Sequence, residues 1–157
     1  MLTKNTETVM MGKPITSPCL IPVLHSSTPC CVAEPFMVNG TPCKVTALSF
    51  GAPYGAVMVD DVDSVDVPSL GAALGTHALF PEGASIVFIQ PLDSGRIKAR
   101  LWLRGEGETD FGPEAAGVAG TAAMMLHQVL PNEVQVMMGG RSAFVKWDRE
   151  TGVSVSC

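Results

Sequence analysis

The segment PEAAGVAGTAAMMLHQV, residues 113–129, limits the fold more than any other part of the chain. Ala, Gly, Val, Met and Leu run around nearly its whole circumference at helical spacing, and Pro113 stands where a first helical turn tolerates it. A helix apolar on every side must be buried. Its many small residues let neighbouring backbone approach the axis closely. The expected surround is therefore a β layer wrapped around a central helix.

The strands for that layer are visible on both sides of the helix. KVTALSF (44–50) alternates and is β-rich, GAPYG (51–55) breaks it, and AVMV (56–59) resumes. A short amphipathic helix follows over about 67–78, with Asp66 or Ser69 as caps. SIVFIQ (85–90) is an apolar run of strand length, and Asp93-Ser94-Gly95 reads as a hairpin turn. In RIKARLWLR (96–104), Ile97, Ala99, Leu101 and Leu103 face one side, while Arg96, Lys98, Arg100, Trp102 and Arg104 face the other. The first face is predicted to be buried and the second wet. After the helix, EVQVMM, Gly139-Gly140 and SAFVKW form a hairpin, and GVSVS adds a last strand. The fold class is α+β, a mostly antiparallel curved sheet around a central buried helix, in one domain over 1–157. Residues 1–40 form an irregular Pro- and Cys-rich lead-in with edge strands, because Pro14, Pro18, Pro22, Pro29 and Pro35 forbid a long helix.

Composition narrows the function classes. Of 157 residues, 46% are hydrophobic and 16% charged, so a single sizeable core is expected rather than disorder. A net charge of −5 without a Lys/Arg cluster leaves no footprint for nucleic acid or anionic lipid. No apolar run reaches membrane-span length and the first residues lack a signal-peptide centre, which predicts a cytoplasmic protein. The five cysteines, Cys19, Cys30, Cys31, Cys43 and Cys157, have no CxxC spacing and read as free thiols. His25 with Cys30 and Cys31 is the nearest thing to a metal pattern, but adjacent cysteines ligate one tetrahedral ion poorly. No metal and no cofactor are expected.

The chemistry concentrates at GEGETDFGPEAAG, a glycine-rich turn leading into the central helix. A helix start presents unpaired N–H groups and partial positive charge, a ready anion site. Here Glu106, Glu108, Asp110 and Glu114 stand in or beside the place an anion would take.

Taken in order, VMMGKP (9–14), VTALSFGAPYGAVMVDDV (45–62), LGAALGTHALFPEGASIVFIQ (70–90) and RIKARLWLRGEGET (96–109) resemble successive motifs of the C-terminal half of the diaminopimelate epimerase family. The similarity runs in register from about Val9 to about Trp147. It implies one of that family's two pseudo-symmetric α+β domains. It also implies a cofactor-free mechanism in which two cysteines, one from each domain, pass a proton across the α-carbon of an amino acid. The substrate carboxylate in that mechanism rests on helix N-termini.

On this resemblance the family's Gly-Glu-Thr-x-Ala-Cys-Gly-Thr-Gly-Ala falls on residues 107–116, so Gly112 takes the cysteine position. Pro113 removes one N–H donor, and Glu114 brings a carboxylate. Two carboxylates 4–5 Å apart repel by about 3–4 kcal/mol at an effective dielectric near 20, against about 0.3–2 kcal/mol that a helix terminus offers an anion. Glu114 either turns into the old pocket, where repulsion wins, or caps its own helix and faces water. The Asn and His of the family's Gly-Asn-Pro-His are Ala52 and Tyr54, the Asn after Pro-Glu-Gly-x is Ser85, and the Glu before the conserved-pattern Arg is Leu103, leaving Arg104. The family's first domain has no counterpart in these residues.

Ala52, Tyr54, Ser85, Arg104, Gly112, Pro113 and Glu114 are thus the expected remnant of a substrate pocket, with no catalytic residue among them. A non-catalytic, homodimeric binding or assembly module is the leading expectation. The alternatives are an amino-acid racemase built from two copies with another base, such as Tyr54 or His77, and a small-molecule binder selecting a neutral or cationic ligand. An open cavity at Gly112, or a helix start plugged by Phe111 and Glu114, separates these.

Overall fold

A helix of this composition does form the centre of the molecule. In the computed structural model, which describes residues 8–16, 21, 32–38, 40–78, 80–130 and 132–156, it is α2, Pro113–Met125, and every residue from Ala115 to Met124 is buried. It ends four residues earlier than its composition predicts. His127 takes a left-handed conformation (φ 58°), and the amides of Leu126, His127 and Gln128 turn back onto Ala122, Met124 and Ala123. A left-handed residue stops a helix, and no glycine marks the place in the sequence.

Ten strands surround it among the described residues: β1 Thr8–Gly12, β2 Glu34–Val38, β3 Thr41–Ser49, β4 Pro53–Met58, β5 Ser85–Asp93, β6 Arg96–Leu103, β7 Gly107–Thr109, β8 Glu133–Met138, β9 Arg141–Asp148 and β10 Gly152–Ser156. Their order is β1-β10-β9-β8-β6-β5-β4-β3-β2, with β7 and β8 sharing one edge of β6. The sheet is mixed and mostly antiparallel; β4 with β5 and β6 with β8 run parallel. Two backbone bonds between Ile15 and Ser49, 2.8 and 2.9 Å, join the β1 end of the sheet to β3. The curved wall is closed around α2, which packs against β1, β3, β4, β5, β6, β8, β9 and β10.

Glycine makes that approach possible. A Cβ on Gly120 would lie 2.8 Å from Val145 and 3.0 Å from Val134, and one on Gly117 would lie 3.1 Å from Val155. A methyl group at Gly120 would force Val145 to shift, and one at Gly117 would need Val155 to give by a few tenths of an ångström.

The second helix, α1, Val67–Gly75, lies on the outside of the sheet. Asp66 caps it through the Ser69 amide, as the sequence suggests, and it stops three residues short of the expected end. Beneath it Phe36, Val45, Val57, Leu74, Phe80, Ile86 and Phe88 form a second core. The outer face of β6 is consequently not wet throughout. Trp102 lies under α1, and a Cβ on Gly71 or Gly75 would run into its ring. The Arg100 guanidinium is also tied down, donating to the carbonyls of Val62 and Val65 at 3.0 and 3.1 Å. Covered on both faces, β5 reads as a continuous apolar run, whereas β8 and β9 have an exposed outer face and alternate.

The break expected at 51–55 is shorter than its glycines suggest, since Pro53, Tyr54 and Gly55 already belong to β4. In the lead-in, β1 and β2 are the two edge strands. The outer edge of β2 carries Pro35, which has no N–H, and the carbonyl of Met37 is bonded to His77 Nε2 at 2.9 Å. His77 sits just beyond α1, half-buried, its ring tilted against Phe36 at 5.1 Å. Cys19, His25, Cys30, Cys31 and Cys157 lie outside the described residues.

Candidate functional site

The start of α2 meets one end of three adjacent strands. Gly112 is its N-cap, in an extended conformation (φ −147°, ψ 129°) with no side chain to bond the turn, and its carbonyl accepts the first helical bond from Ala116 at 2.9 Å. Pro113 follows as the first helical residue, where a missing N–H costs least. Tyr54 of β4 is in register with Ser85 of β5, and β5 pairs with β6, so Tyr54, Ser85 and Leu103 all lie on the face that looks at α2.

Tyr54 is only 3% exposed, and its phenol lies near enough to the Glu114 carboxylate for that charge to act on it. Burial, and then the charge of Glu114, hold its phenol well above the ordinary tyrosine range. Glu114 thus points neither wholly to water nor at an empty anion site. Its charge and a phenol face one another at the helix start.

The remaining candidate residues divide. Ser85 is buried and its hydroxyl accepts the Arg104 backbone amide at 2.9 Å. Arg104 leaves the group: its guanidinium turns to the opposite side of the sheet, where Nη1 donates to Glu82 O at 2.6 Å and the stem packs on Gly83. It braces the Pro-Glu-Gly turn. Ala52 is half-buried in the bend between β3 and β4 and offers only a methyl group.

The acids of the turn are placed differently from a cluster around the helix start. Gly107–Thr109 is strand β7 rather than turn, and Glu108 projects to the outer face, where its Oε2 accepts from Arg100 Nε and Nη2 at 3.0 and 2.7 Å. Glu106 and Asp110 are exposed.

Two residues that local patterns do not reveal complete the surroundings. Leu101 Cδ2 lies 3.4 Å from where a Cβ on Gly112 would be, an ordinary contact. The Arg141 guanidinium covers Phe111 at 4.5 Å from the ring centroid. Both come from strands whose positions relative to residue 112 are set by sheet order, not by spacing in the chain. Among the described residues no group of His, Cys, Asp and Glu is arranged to hold a metal ion, and no helix is long and apolar enough to cross a membrane.

Several known proteins share this fold or are similar to the chain in sequence. Solved structures with the same fold include a hydroxyproline epimerase from Agrobacterium vitis, 12% identical, which matches 97% of this chain and 49% of its own with a TM-score of 0.66. A probable proline racemase from Agrobacterium radiobacter K84, also 12% identical, matches 80% of this chain and 46% of its own at 0.55. In sequence, the diaminopimelate epimerase of Desulfovibrio desulfuricans is 35% identical over 147 residues, 90% of this chain and 50% of that protein. The corresponding protein of Carboxydothermus hydrogenoformans is 32% identical over 149 residues, 93% of this chain and 52% of that protein. The chain spans about half the length of the curated relatives it matches. The family profile for diaminopimelate epimerase covers residues 46–156, from β3 through β10, and so the chain belongs to the diaminopimelate epimerase family.

Proposed function

We propose that the chain is a non-catalytic epimerase-fold domain that acts as a binding or assembly module and associates with itself as a homodimer. One observation carries the reading: the helix start that would serve as proton-transfer and carboxylate site holds Gly112, which has no exchangeable group, and carries the Glu114 carboxylate in its first turn near the buried Tyr54. Glycine cannot give or take a proton at an α-carbon. An incoming carboxylate would stand close to Glu114, and the repulsion of about 3–4 kcal/mol at 4–5 Å exceeds what a helix terminus returns. The neighbouring groups serve the fold instead, Ser85 on a backbone amide and Arg104 on a turn.

The deciding experiment is solvent-deuterium exchange at the α-carbon of diaminopimelate and of a panel of amino acids, followed by NMR. No exchange above the uncatalysed background is expected. Sustained, protein-dependent exchange of any member would overturn the non-catalytic reading and favour a base assembled from two copies.

A further inference from the structure

A groove of about 510 Å³ opens on the outer face of the sheet, beside the fork where β7 and β8 share the edge of β6. Its size is that of a small-molecule site. Six charged side chains line it: Asp63, Lys98, Arg100, Glu108, Asp110 and Arg141. Four are committed to each other, Lys98 with Asp63 and Arg100 with Glu108. Arg141 and Asp110 remain, and among the described residues they make no ion pair with each other or with a third group.

The backbone that carries them is nevertheless held in place. The two-residue hairpin tip Gly139-Gly140 has positive φ at both positions, and Gly139 lies so close to the Asp110 carbonyl that a Cβ there would collide with it. One residue further on, the Arg141 guanidinium lies over the ring of Phe111, the neighbour of Asp110. Two independent contacts therefore fix the β8–β9 hairpin against residues 110–111, with opposite charges on the two sides that do not close on one another. Among the described residues no hydrogen bond or ion pair takes up the guanidinium N–H groups of Arg141, which leaves them to donate to a planar acceptor. A second anionic group would meet Asp110, and a second cationic one Arg141.

We propose that this groove binds a small zwitterion, its carboxylate on Arg141 and its ammonium on Asp110. The groove borders the α2 start through residues 110–111 but uses neither Gly112 nor Glu114, so the outcome of the deuterium-exchange experiment leaves it untouched. A fixed backbone beneath the two charges reduces the ordering cost of binding, but both are exposed to water, so weak binding is expected.

The test is an amide NMR titration of the whole chain with 4-aminobutyrate, with acetate and methylammonium as half-ligands. Saturable shifts of the Gly139, Gly140 and Arg141 amides are expected with the zwitterion and only unsaturating drift with either half-ligand. Arg141→Gln and Asp110→Asn should each weaken binding by about fivefold, the scale of one exposed charge contact, while Lys146→Gln leaves it unchanged. Amide spectra of the variants report whether they are folded. Equal saturation by acetate, shifts confined to Tyr54, Gly112 and Glu114, absence of saturation, or indifference to both substitutions would each overturn the proposal.

Discussion

Tyr54 is the only tyrosine in the chain, which makes the state of the α2 start directly observable. Burial and Glu114 raise its pKa, so the fold favours the neutral phenol. The sign follows: its contribution to stability is complete below the unfolded-chain value of about 10 and is lost as pH rises toward the higher native value. Titrated by ultraviolet absorbance, the folded protein should show no phenolate at pH ~10, where a free tyrosine is half ionised. The band should appear only at higher pH, together with loss of far-ultraviolet circular dichroism. Tyr54→Phe should remove that step of alkaline instability and, through the hydroxyl lost beside Glu114, cost about 1–2 kcal/mol near neutrality in a denaturant titration. A normal phenol titration in the folded state would contradict the buried contact. The substitutions at Gly112 and Tyr54 are legible in the sequence once its motifs are matched to the family. Their consequence is not, because the meeting of Tyr54 with Glu114 depends on β4 lying against the first turn of α2.

Among the elements, β6 shows best what alternation can and cannot convey. Its period gives two faces correctly, with Ile97, Ala99 and Leu101 fully inside. It does not tell which outer residues are covered, since that depends on Gly71 and Gly75 of a helix earlier in the chain. Those glycines are notches for one indole. Gly75→Ala would press a methyl group onto Trp102 and to within 2.6 Å of the Ala84 carbonyl. Overpacking of this kind should cost about 1–3 kcal/mol, read as a lower urea midpoint with altered tryptophan fluorescence. An unchanged midpoint would mean that α1 sits elsewhere. Element ends are hidden for a related reason: α2 stops at a left-handed histidine, a conformation most residue types avoid and no local pattern announces.

At the scale of the whole molecule the sheet is sheathed unequally. Its β3–β6 part carries α2 inside and the α1-side core outside, while β8, β9, β10 and β1 have α2 on one side and open surface on the other. On that open surface stand Met10, 64% exposed, and Phe144, 46% exposed, with Met137 beside Lys98 and Ser142. Exposed apolar side chains on an otherwise uncovered face give an association surface, and a twofold dimer is the simplest closed form. Light scattering at micromolar concentration should therefore report a dimer for the chain and a monomer for a Met10→Lys, Phe144→Lys variant. A strict monomer in the unsubstituted chain would remove the assembly part of the proposed function. The all-apolar helix made the enclosing wall foreseeable, whereas its means of closure was not, for Ile15 follows a proline in a stretch with no strand pattern. That closure has a mechanical meaning. Every other join in the wall is a ladder, but the Ile15–Ser49 join is a single bridge; parting it would leave each ladder intact and turn the barrel into a sheet free to swing off its helix. The wall has a latch, and α2 is what the latch keeps covered.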